Sequence, residues 1–104
     1  MLRIEIVEKD NKIKQIKFLG HTNYDKYGSD IVCAAASATM LCTVNAIISI
    51  DNKAVEVIQE KDKQTINVLK NDKTTNILVN NMINCLKSLE NDYPKNIKIN
   101  KEEI

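Results

Sequence analysis

GHTNYDKYGSDIVCAAASA, Gly20 to Ala38, is where one kind of chain order gives way to another. Before it, apolar residues recur at every second position. After it, small and apolar residues run on without alternation, so the segment joins a strand to a helix. Gly20 ends the strand and sets His21 at its exit. Residues 22 to 29 form a polar loop carrying Tyr24 and Tyr27, with Gly28 as its hinge. Ser29 and Asp30 both suit an N-cap, and the Ala-rich run behind them has high helix propensity. With Asp30 as the cap, Cys33 is the third helical residue, where unpaired amides and the helix dipole favour negative charge.

Working outward, residues 2 to 8 put Leu2, Ile4 and Ile6 on one face and Arg3 and Glu5 on the other, the period of a half-buried strand. Turn formers occupy Lys9 to Lys12, and residues 13 to 19 alternate again with Ile16 and Phe18 inward, which predicts a hairpin. Past Ala38 the helix continues through an apolar stripe of Ala38, Leu41, Cys42, Ala46 and Ile48 and stops at Asp51-Asn52. A second hairpin follows over 54–60 and 64–69, with Val55, Val57, Ile66 and Val68 inward. Residues 73 to 90 carry Leu78, Met82, Cys85, Leu86 and Leu89 at helical spacing. Pro94 ends that helix, and Ile97 and Ile99 alternate in a last strand. The expected order is β-β-α-β-β-α-β, an α+β fold with a mixed or antiparallel sheet and two helices packed on one face. Both hairpins contain Glu-Lys-Asp, at 8–10 and 60–62, a faint sign of internal duplication.

With 104 residues the chain fits a single domain, 1–104. Fifteen basic residues against 14 acidic ones give a net charge of +1, and the four aromatics are too few for a base-stacking platform, so nucleic-acid binding is not expected. The apolar run Ile31 to Ile50 is interrupted by Ser37, Thr39, Thr43, Asn45 and Ser49 and is not expected to span a membrane. The first residues alternate instead of forming a signal peptide, which points to the cytoplasm. Three cysteines, Cys33, Cys42 and Cys85, are odd in number and lack C-x-x-C spacing, arguing against disulfides and structural zinc. No metal or cofactor is expected.

His21 is the only histidine, twelve residues before Cys33, with a loop between them long enough to fold back. Imidazole can take a thiol proton and later protonate a leaving amine, so the pair suits nucleophilic catalysis at an acyl group, with helix-start amides facing the oxyanion. Cys33 is otherwise a small buried hydrophobe, a description that fits Cys42 and Cys85 better because both lie in apolar helical stripes. Asp30 either caps the helix or orients His21 as a third member. Ser37, one turn beyond Cys33, either faces the substrate or bonds back to its own helix. Tyr24 and Tyr27 either touch a peptide or are ordinary loop aromatics. A non-catalytic binding module and a redox-sensing thiol are the other functional readings.

At Gly20-His21 and Gly28-Ser29-Asp30-Ile31-Val32-Cys33-Ala34-Ala35-Ala36-Ser37 the sequence resembles the ribosomal-processing cysteine protease family, Prp. Thr22 and Ala36 stand where Ala and Val are more usual. The resemblance implies a cytoplasmic endopeptidase with His21 and Cys33 as the catalytic pair, a homodimer, and a mobile loop over 22–29 that admits peptide. The implied substrate is the short N-terminal extension of bacterial large-subunit ribosomal protein twenty-seven, whose removal serves ribosome assembly.

Overall fold

A computed structural model describes residues 1–26 and 30–104. Its elements are β1 (Leu2–Lys9), β2 (Lys12–Leu19), α1 (Ile31–Ile50), β3 (Val55–Glu60), β4 (Lys63–Val68), α2 (Lys73–Asp92) and β5 (Ile97–Glu103), in the expected order. They form one five-stranded sheet, β3-β4-β2-β1-β5, in which β1 and β5 run parallel and the other neighbours antiparallel. Register aligns the apolar residues across strands: Ile4 faces Phe18 and Ile99, and Ile16 lies between Ile6 and Ile66.

Leu2, Ile4, Ile6, Ile16, Phe18, Ile66 and Val68 are buried beneath the helices, while Arg3 and Glu5 on the reverse face are exposed. Ile13 is out of phase with Ile16 in sequence yet also buried. A β-bulge explains it: Val7 pairs with Gln15 and Glu8 with Ile13, leaving Lys14 as the extra residue that restores the inward phase. Asp10 and Asn11, at φ 52° and 62°, make the first hairpin turn, the left-handed pair that matches strand twist. In the second hairpin Glu60 pairs with Lys63, so the turn is Lys61-Asp62. The shared Glu-Lys-Asp therefore sits one residue out of frame between the two turns.

The helix faces differ from expectation. The inner side of α1 is Val32, Ala36, Met40, Val44 and Ile47. Ala38, Leu41, Cys42 and Ile48 are exposed, so the expected stripe lies largely on the outer side. The helix is apolar nearly all round, so hydropathy gives its period no phase, and by length and composition alone it matches a membrane span. Its Thr39, Thr43 and Ser49 hydroxyls donate to the carbonyls of Ala35, Thr39 and Asn45, one turn back. In α2 the buried side is Thr75, Val79, Met82, Ile83 and Leu86. Cys42 and Cys85 are exposed, not buried small hydrophobes. Val57 is also more exposed than its alternation implies, because β3 is an edge strand that the helices cover incompletely.

Candidate active site

The end of β2, the β3–β4 turn, the starts of β1 and β5 and the N-terminus of α1 all meet at one end of the sheet. Gly20 is fitted there twice over. Its φ is +81°, a conformation that favours glycine, and an added Cβ would lie 3.1 Å from the Met1 carbonyl oxygen. Its amide donates to the Asp62 carbonyl at 2.9 Å, tying the second hairpin turn to the exit of β2. His21 follows directly, and its Nε2 lies 2.7 Å from Asp62 Oδ1.

On the other side, Asp30 caps α1 by accepting from the Cys33 amide at 2.8 Å. The rest of its carboxylate holds the preceding loop: it accepts from Thr22 Oγ1, from the Tyr24 amide at 3.0 Å and from the Asp25 amide at 3.4 Å. Burial pushes the Asp30 carboxyl up, but the Thr22 hydroxyl and the Cys33, Asp25 and Tyr24 amides together outweigh it and hold the carboxyl below its usual 3.8. Thr22 is 1% exposed, so its hydroxyl depends on Asp30 for a partner. The Thr22 carbonyl accepts from Asn96 Nδ2 at 3.0 Å, anchoring the loop to the chain just before β5.

Of the two sequence readings of Asp30, the structure realises the cap; the carboxylate on His21 comes from Asp62. The cap also engages the Cys33 amide, and the Ala34 amide donates to the Asp30 carbonyl at 3.1 Å. Tyr24 packs edge-to-face on Tyr93, ring centres 5.3 Å apart, and borders neither cavity around Cys33. Tyr27 and Gly28 lie outside the described residues.

Two cavities open beside Cys33, of about 340 and 480 Å³. The first has an apolar floor of Leu2, Phe18 and Met40 and a polar rim that includes Gln59, Asp62 and Gln64. The second is lined by Asn23, Asp25 and Lys26 together with the start of α1. His21, Cys33 and Ser37 line both. Among the described residues no group of three His, Cys, Asp or Glu side chains is placed to hold a metal. Sequence reasoning missed Asp62, Thr22 and Asn96, whose places in the site depend on contacts across the fold.

Comparisons with known proteins bear on the fold and the family. A ribosomal processing cysteine protease Prp of Staphylococcus aureus is 28% identical over 104 residues, covering 96% of this chain and 98% of the relative. The crystal structure of the S. aureus protease with a covalently linked product peptide superposes with a TM-score of 0.93 at 28% identity, covering 98% of this chain and 100% of that one. A Streptococcus mutans structure shares the fold, with a TM-score of 0.88 at 20% identity over 100% of this chain and 96% of that chain. The model of the family described as cysteine protease Prp matches residues 1–98, and the chain belongs to that family of cysteine peptidases.

Proposed function

We propose that the protein is an endopeptidase in which His21 and Cys33 act as a catalytic pair, and that it removes the N-terminal extension of large-subunit ribosomal protein twenty-seven. The observation that carries the reading is the position of these two residues on the divide between two cavities. An endopeptidase must hold chain on both sides of the bond it cuts, and a thiol between two compartments meets that need. The similarity to ribosomal processing proteases of known structure, one with a covalently linked product peptide and one with a substrate peptide, supports a peptide substrate met in ribosomal processing.

In this mechanism His21 takes the Cys33 proton and the thiolate attacks the scissile carbonyl carbon. The resulting oxyanion faces the positive end of α1. The C–N bond breaks as imidazolium protonates the leaving amine. Water, deprotonated by His21, then hydrolyses the thioester, releasing the carboxylate product and restoring the thiol. Ser37 lines the path of the substrate on both sides of the thiol. The enzyme works in the cytoplasm, where thiols stay reduced, and as a homodimer; the exposed Leu41 and Ile48 on α1 offer an apolar surface for a second copy.

Mass spectrometry of a peptide spanning the extension, incubated with wild type and with Cys33→Ser, tests the proposal. A single specific cut made only by wild type is expected. No cut by folded, reduced wild type would refute peptidase action on this extension and favour a binding module.

A further inference from the structure

We propose that Asp62 is a positioning residue for His21, an inference that rests on the His21–Cys33 reading. The carboxylate Oδ1 lies 2.7 Å from His21 Nε2, a distance typical of a strong charge-assisted bond. An acceptor at Nε2 selects the tautomer with its proton there and leaves Nδ1 as the nitrogen that can take a proton from the thiol. The same carboxylate stabilises the imidazolium formed once that proton has moved. His21, Cys33 and Asp62 all border the first cavity.

The backbone gives this contact a fixed aim. Asp62 sits in the tight β3–β4 turn at φ 59°, and its carbonyl accepts from the Gly20 amide at 2.9 Å, next to His21. The carboxylate therefore projects from one member of a hydrogen-bonded pair and the histidine from the residue that follows the other. Asp30, the carboxylate nearest in sequence to Cys33, is occupied by Thr22 and three amides. The His21 and Asp62 side chains are 56% and 55% exposed, so water screens their pairing in the free protein. Peptide seated in the first cavity would displace that water and strengthen the bond when it is needed.

The test uses Asp62→Gly and Asp62→Asn. Glycine accepts the left-handed turn while deleting the carboxylate, whereas Asn keeps an oxygen acceptor and tolerates the same φ. In Asp62→Gly, kcat is expected to fall about 10- to 100-fold with KM within about twofold, and Asp62→Asn, which keeps an oxygen acceptor without the charge, should recover only part of the loss. The chain has one imidazole, so ¹⁵N spectra of labelled protein report its tautomer without ambiguity. The Nε2–H form should dominate in wild type and give way to a mixture in Asp62→Gly, a change that a purely structural turn residue would not cause. Unchanged or increased kcat in folded Asp62→Gly, or an unchanged tautomer, would overturn the proposal. If wild type cuts no peptide, the peptidase reading fails, while the spectra still decide whether Asp62 sets the imidazole.

Discussion

Replacing Asp30 with Ala removes two supports at once. The helix loses the acceptor for the Cys33 amide, a cap loss of about 1 kcal/mol. The hydroxyl of Thr22, a residue 1% exposed, loses its partner, which adds roughly 1 to 2 kcal/mol for an unsatisfied buried donor. The Tyr24 and Asp25 amides belong to exposed residues and can turn to water at little cost. A total of about 2 to 3 kcal/mol corresponds to a fall in melting temperature of roughly 10 to 20 °C for a domain of this size. Adding Thr22→Val should return about 1 kcal/mol, because no buried hydroxyl is then orphaned.

The pH dependence has a defined sign. The folded carboxyl sits below its usual 3.8, so its stabilisation is complete above that value and is lost as pH falls through the folded pKa. Urea unfolding of wild type and Asp30→Ala, repeated from pH 7 to pH 3, measures both effects. The stability gap should be constant down to about pH 5 and narrow below about pH 4. A gap under about 0.5 kcal/mol at pH 7, or one that widens on acidification, would refute the reasoning.

Two other outcomes follow from the same end of the molecule and from the outer face of α1. Gly20→Ala, forced to φ +81° with its methyl 3.1 Å from the Met1 carbonyl oxygen, should lower stability by about 1 to 2 kcal/mol in thermal melts and reduce cleavage by displacing His21. Leu41→Lys with Ile48→Lys, at positions 56% and 41% exposed, should leave the fold intact and halve the mass seen by light scattering. A monomeric wild type at tens of micromolar would contradict that expectation.

The alternation of Leu2, Ile4 and Ile6 and of Ile16 and Phe18 was sufficient for the first hairpin, because a strand with one wet face records that face in every second residue. The broken phase between Ile13 and Ile16 marked the bulge at Lys14, although only the pairing makes that mark intelligible. In α1, by contrast, no polar face orients the period, so the buried side was misjudged. At the site, the strand exit that carries His21, the helix start that carries Cys33 and the Asp30 cap were readable because each depends on local order. Asp62 reaches His21 from 41 positions away and Asn96 reaches Thr22 from 74, through contacts that one-dimensional pattern does not encode.

The parallel pairing of β1 with β5 sets a schedule for assembly. Leu2, part of the floor beneath Cys33, lies opposite Ile97, and its amide donates to the Asn96 carbonyl at 2.9 Å. That closure joins segments about as far apart along the chain as any two in the fold, the kind of contact with the largest loop entropy to overcome. During synthesis, a nascent chain that has not yet released Ile97–Glu103 presents β1 as a bare sheet edge, and the loop held by Asp30 lacks its second tie, from Asn96 to the Thr22 carbonyl. Completion of the pocket is thus coupled to β5, so a nascent chain holds Cys33 and His21 long before it holds every contact that shapes the pocket around them.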